Sequence, residues 1–368
     1  MPTKKKDESK SKKILGLSPL LAAFAALFLI IGLMFALGHF FFAKPKSANG
    51  LYFQKGIVYG SWSRDGYLAQ GADQSLEALK ATGANSVGVL VTWYQDTCWS
   101  NEIKRLDITP SDEAVIKTIR KAHELGMKVM LKPHLDIVDT SDGSWRGEIG
   151  CVKDADWSKW FEGYTNYIMY YVDIAIKEKV EMICIGTELS NIDASKPEFW
   201  DGLIAKIRAK YSGSLTYAAH WDRYIDIRFW DKLDYVGINA YFPLSSEMRP
   251  TYDQLKEGWS KWVTEMEEFQ KQVKKPIIFP EIGCNSADGA AIRPWEHNPR
   301  REVNLALQAD YYKALMDIFF QKEWFYGQYW WIWGTNKNMG GPYNRAFTPQ
   351  NKPAAKIVTE YYAKNIKR

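Results

Sequence analysis

Residues 181–189 read EMICIGTEL, an apolar run of strand-forming side chains that closes on a glycine, a hydroxyl and a carboxylate. Met182, Ile183, Cys184 and Ile185 show no alternation of apolar and polar positions. That pattern predicts a strand buried on both faces, as in a parallel sheet covered by helices. Glu188 at its end would be partly desolvated, which costs free energy unless the carboxylate is paired, hydrogen-bonded or used.

The same design recurs along the chain. Strands are predicted at 56–62, 85–93, 128–136, 181–189, 214–221, 233–242, 275–283 and 325–334. Amphipathic stretches near 73–83, 110–126, 156–179, 195–211, 226–232, 251–273 and 302–322 predict helices between them, with a last one after Pro353. Start signals support several, such as Thr109-Pro110-Ser111-Asp112-Glu113. Eight β-then-α units close naturally into a (β/α)8 TIM barrel, in the α/β class. An open doubly wound sheet would show a Gly-rich phosphate turn after its first strand, and Gly60-Ser61-Trp62-Ser63 does not supply one.

A TIM barrel builds its site where strands end and the following loops begin. The polar or aromatic residues there are Trp93 and Tyr94, His134 and Asp136, Glu188, His220 and Trp221, Asn239 and Tyr241, Glu281, and the tryptophans of the eighth strand. Glu281, in FPEIG at 279–283, repeats the setting of Glu188. Two carboxylates at one mouth are what glycosidic cleavage needs, one to protonate the leaving oxygen and one to stabilise or attack the anomeric carbon. A separation of about 5 Å would make the enzyme retaining, and a wider one inverting. Lys132 is in register to pair with a glutamate, and Tyr241 to donate a hydrogen bond to Glu281. His134 and His220 are candidates to bind sugar hydroxyls or orient the carboxylates. Trp331 and Trp333 are expected to share a strand face, and Trp93, Trp99, Trp145 and Trp295 to offer outer sugar platforms.

KPHLD at 132–136, IGTELS at 185–190, INAYFPL at 238–244 and FPEIG at 279–283 resemble glycoside hydrolase family 113, known for endo-β-1,4-mannanases. The resemblance spans roughly residues 56–365. It implies a retaining double displacement on a β-linked glycan, most of all a mannan, with Glu188 as acid/base and Glu281 as nucleophile. It also implies that a tryptophan near the end of the eighth strand, Trp331 or Trp333, floors the subsite for the reacting sugar. Many related families place Asn before the acid/base to hold the sugar 2-hydroxyl, whereas this chain has Thr187. Asn239 is the candidate for that contact, and the Thr187 hydroxyl the alternative.

Composition bounds the rest. Up to residue 46 there are eight lysines against two acids, which leaves 40 basic and 41 acidic residues beyond. No whole-domain basic field remains to attract nucleic acid. From Ile14 to Ala43 the only ionisable side chain is His39, and the run LLAAFAALFLIIGLMFALGHFFFA predicts a transmembrane helix. The lysines before it place residues 1–13 in the cytoplasm and the barrel, residues 56–368, in the periplasm, lumen or extracellular space, after a linker at 44–55. The stretch is long for a signal peptide, and neither FFA nor KSA offers small residues at both positions of a cleavage site.

Cys98 and Cys151 fall in loops and are candidates to pair, while Cys184 and Cys284 read as buried thiols. No cofactor is implied, no metal ligand is assigned, and the chain reads as a monomer whose partners are a glycan and the membrane. Two rivals stand beside this reading. In one, His134, Asp136, His220 and Glu281 gather a metal instead, but the H-x-H pair usual on the first strand is missing. An anchored glycan-binding protein without turnover is the other, and it would need neither glutamate.

Overall fold

The computed structural model describes residues 50–368 apart from 152, 298 and 367. The expected membrane segment at 14–43 lies outside these residues, as do the basic tail and the first half of the linker. Among the described residues no helix is long and apolar enough to cross a membrane.

Eight strands close in sequence order into a parallel barrel: β1 (Gln54–Gly60), β2 (Ser86–Gln95), β3 (Lys128–Ile137), β4 (Met182–Thr187), β5 (Ser214–His220), β6 (Val236–Asn239), β7 (Ile277–Ile282) and β8 (Phe325–Gly334). Around it run α1 (Ala72–Ala81), α2 (Asp112–Glu124), α3 (Asp154–Lys177), α4 (Pro197–Arg208), α5 (Tyr252–Val273), α6 (Leu305–Phe319) and α7 (Pro353–Tyr362). A single helical turn, Ser190–Asp193, follows β4. The helix expected at 226–232 is instead two short 3-10 turns, Tyr224–Asp226 and Trp230–Lys232. That segment is too short to propagate a helix between β5 and β6. The expected linker also ends early, because Gln54 and Lys55 already pair with β8.

Side-chain alternation on the strands makes two cores. Leu90, Met130, Met182, Ala218, Ile278 and Tyr329 fill the barrel interior. Val89, Val129, Ile183, Ile238 and Phe279 face the helices in a larger core. Gly186 shows how tight the β4 wall is. A β-carbon there would lie 2.7 Å from both the Tyr164 hydroxyl and the Tyr217 ring, a separation real contacts do not reach.

Alternation also corrects two expectations. Trp93 continues the outward face of β2, donating from Nε1 to the Tyr171 hydroxyl at 2.8 Å and packing on Tyr167 and Tyr170 of α3. It therefore serves the barrel–helix core and not the mouth. On β8, Trp331 faces inward but Trp333 does not, and its Nε1 bonds Ser75 of α1. The cause is an irregular register against β1: Ile57 pairs with Trp330, yet Tyr59 pairs with Trp333. One extra residue on β8 exchanges the faces beyond it.

Candidate active site

Glu188 follows the last residue of β4 in a left-handed backbone conformation, with φ +52°. A non-glycine residue there costs about 1–2 kcal/mol, which its surroundings must offset. They do so through hydrogen bonds on either side. The Glu188 N–H donates to the Ala218 carbonyl of β5 at 2.8 Å. The Leu189 N–H donates to the Tyr217 hydroxyl at 2.8 Å, and that hydroxyl donates to Asp193 at 3.1 Å. The residue is only 6% exposed, and its Oε2 accepts from Arg146 Nη1 at 3.1 Å.

Glu281, on β7, is as buried but differently held. Its Oε1 meets the Lys132 ammonium at 2.7 Å and His134 Nε2 at 3.1 Å, and its Oε2 accepts from the Tyr241 hydroxyl at 3.1 Å. Burial alone would push this carboxyl's pKa up. Lys132 and His134 outweigh burial and hold it well below the usual carboxylate range. His134 itself is lowered to about 4 by burial and by the charges of Lys132 and Arg146. It is therefore neutral near pH 7, and a proton on Nε2 makes it a donor to Glu281. Lys132 Nζ also donates to the Thr187 hydroxyl at 2.7 Å. That contact occupies the hydroxyl beside Glu188 and ties the two carboxylate positions together.

Both carboxylates line one cleft of about 690 Å³, within the range of small-molecule sites. Trp62, just after β1, packs edge-on against Trp331 of β8, and Trp331 stacks on His134. Trp145 lies against His220, and Trp221 stacks on Trp295 with ring centres 5.9 Å apart. Trp62 and Trp331 come from the neighbouring β1 and β8, His220 and Trp221 from the end of β5 across the ring, and Trp145 and Trp295 from the loops after β3 and β7. Aromatic surfaces thus flank the carboxylates from two directions, as a flat-faced amphipathic ligand requires.

The fold brings together Glu188, Glu281, His134, Asp136, His220, Trp221, Tyr241 and Trp331 among the expected residues. Trp145 and Trp295 also line the cleft, whereas Trp99 projects into solvent outside it. Asn239 does not line it. The amide is fully buried on the interior face of β6, and neither of its polar atoms has a hydrogen-bond partner among the described residues. The expected 2-hydroxyl contact from Asn239 is thus not in place. Cys98 and Cys151 are free thiols, although the Gly150 N–H donates to the Cys98 carbonyl at 2.9 Å.

Arg146, Trp62, Asp222 and His297 line the cleft without having been expected there. Trp62 was legible, standing two residues beyond the first strand. Arg146 and His297 sit in long loops whose course no local pattern reveals. Among the described residues no group of three His, Cys, Asp or Glu side chains is arranged to hold a metal. His134 and Glu281 bond each other, Asp136 bonds Arg146, and His220 bonds Asp222. What the site can do is acid–base and nucleophilic chemistry by two carboxylates, one fixed as an anion and one reached by a loop-borne cation.

Residues 57–352 match the family model of Glycoside Hydrolase Family 113. A β-mannanase of that family from Alicyclobacillus acidocaldarius, solved in complex with ManMIm, superposes with a TM-score of 0.76 at 27% identity, over 85% of this chain and 98% of that one. A β-1,4-mannanase of the same family superposes with a TM-score of 0.77 at 29% identity, over 86% of this chain and 100% of that one. A Ruminococcus gnavus β-glucuronidase, at 14% identity and a TM-score of 0.59 over 87% of this chain and 51% of that one, shares the fold alone. No curated protein matches the chain.

Proposed function

The chain belongs to glycoside hydrolase family 113 and hydrolyses O-glycosyl bonds, and from that premise we propose that it is a retaining β-mannanase acting through Glu188 and Glu281. The observation that carries the assignment of roles is the contrast between the carboxylates. Glu281 is held ionised by an ammonium, an imidazole N–H and a phenol, as a nucleophile must be. Glu188 is left with one oxygen free of described partners, as a proton donor must be.

In the first step Glu281 attacks the anomeric carbon and the glycosidic C–O bond breaks. Glu188 gives its proton to the departing oxygen. The resulting ester removes the charge of Glu281, which had opposed loss of the Glu188 proton, so Glu188 stands as a carboxylate in time to act as base. It then takes a proton from water, the oxygen attacks the anomeric carbon, and Glu281 leaves as carboxylate. Two inversions return the β configuration. The fixed charge of Lys132 makes Glu281 a weaker nucleophile but a better leaving group, which favours the second step.

Mannan as substrate is supported by the mannanases of the same family that share this barrel. The lysine-flanked apolar run at 14–43 supports an enzyme anchored by one membrane helix, with its barrel outside the cytoplasm. The test is a panel of β-mannan, β-glucan and xylan oligosaccharides, with reducing ends followed for the full-length protein and its Glu188→Gln and Glu281→Gln variants. Turnover of the mannan series, lost in both variants, is the expected result. Binding without turnover in the unaltered protein would point to a glycan-binding protein.

A further inference from the structure

The loop between β3 and α3 delivers a cation that the chemistry above does not use. Arg146 opens the 3-10 turn Arg146–Glu148. Its Nη1 donates to Glu188 Oε2 at 3.1 Å and its Nη2 to Asp136 Oδ2 at 3.2 Å. Burial disfavours the guanidinium charge, but Asp136, Glu188 and Glu281 around it more than restore the charged form. Arg146 is therefore a permanent cation inside the cleft, braced on one side by Asp136. It engages a single oxygen of Glu188, and Oε1 takes no hydrogen bond from any described residue.

We propose that Arg146 is a positioning residue for proton transfer, holding Glu188 by Oε2 so that Oε1 faces the departing glycosidic oxygen. The inference rests on reading Glu188 as the acid/base. Before the step, Oε2 is the carbonyl oxygen of a neutral acid and accepts a hydrogen bond from a cation without carrying charge itself. As the C–O bond breaks, the proton passes from Oε1 to the glycosidic oxygen and the carboxyl becomes an anion. The Arg146 contact then joins two full charges and strengthens. An interaction that strengthens as charge develops accelerates the step instead of merely tightening binding.

Other titratable groups lining the same cleft include Glu281 from β7, Tyr241 beyond β6, His134 from β3, His220 from β5 and His297 from the loop after β7. Glu281 is the lasting anion among them and opposes loss of the Glu188 proton, whereas Arg146 favours it. The two act on one proton in opposite senses. In the second step Glu188 must regain a proton, and there Arg146 is a hindrance.

The test compares Arg146→Ala, Arg146→Lys and Asp136→Asn in the full-length protein on two substrates. One is a manno-oligosaccharide, whose sugar leaving group needs a proton. The other is a dinitrophenyl β-mannoside, whose phenolate leaves without one. Arg146→Ala is expected to lower kcat/KM on the oligosaccharide roughly 10- to 100-fold. The aryl glycoside should change by no more than about threefold, since its transition state does not draw on the acid. The alkaline limb of the pH profile should move to higher pH, because the proton is no longer pulled from Glu188. Arg146→Lys should recover part of the loss, and Asp136→Asn should fall between. An equal fall on both substrates with an unmoved alkaline limb would overturn the proposal and make Arg146 structural. Absence of turnover of any mannan substrate by the unaltered protein would overturn the mannanase reading beneath it.

Discussion

The ends of β4 and β7 carry the same side chain in opposite kinds of surroundings. Glu281 is gripped by groups close to the barrel wall: Lys132 and His134 on β3 and Tyr241 two residues beyond β6. Glu188 is gripped by Arg146 from a loop, and its own backbone sits in a conformation that only its neighbours sustain. The difference separates two duties. On the proposed reading, the nucleophile that must stay charged is held from the strands and their ends, while the group that exchanges a proton twice per turnover is held from a loop.

The strongest way to break this comparison is to exchange the chemistry of its two ends. Glu281→Ala and Glu188→Ala should each lower kcat on mannan, the former by on the order of 10⁴- to 10⁶-fold. With azide and an activated aryl mannoside, Glu281→Ala should yield the α-azide and Glu188→Ala the β-azide, read by NMR. The reverse pattern would interchange the roles.

Lys132→Met sharpens the β7 side. It leaves a buried carboxylate without its cation and should cost about 3–5 kcal/mol in denaturant unfolding. Adding Glu281→Gln should recover much of that loss, because the uncompensated charge goes with it.

The histidine gives a pH signature. Its value is lowered from 6.5 to about 4, so below pH 6.5 the unfolded chain binds a proton that the folded protein refuses. Stability should therefore fall as pH drops from 6.5 toward 4, by roughly 3 kcal/mol at most from this group. Unfolding of His134→Gln across that window should show a flatter slope than the unaltered protein. The smallest effect expected is that of Tyr241→Phe, which removes one hydrogen bond to a charged group. It should lower kcat/KM by about 2 kcal/mol, or roughly thirtyfold.

Much of this contrast was legible before the fold was known. The run at 181–189 and its counterpart at 275–283 each announce a buried strand ending in a carboxylate, and eight such units leave a closed barrel as the natural solution. Lys132, His134 and Tyr241 were legible as partners because each lies at or near the C-terminal end of its strand, where a barrel gathers side chains. What escaped depends on events no single strand encodes. The extra residue of β8 turns Trp333 out of the mouth, yet that bulge arises from pairing with β1. The misplacement of Trp93 was avoidable, since Val87, Val89 and Val91 already define its face as outward. Asn239 lies at a strand end, but β6 stops there and the cleft floor begins higher, at Tyr241. Arg146 belongs to a loop whose path is set by what it packs against.

The most direct test traps the covalent intermediate. The full-length protein is treated with a 2-deoxy-2-fluoro-β-mannosyl fluoride, digested, and sequenced by mass spectrometry. The account predicts one fluoromannosyl ester, on the peptide containing Glu281 and on that carboxyl. An ester on Glu188, or unmodified protein that still hydrolyses mannan with inversion, would contradict it.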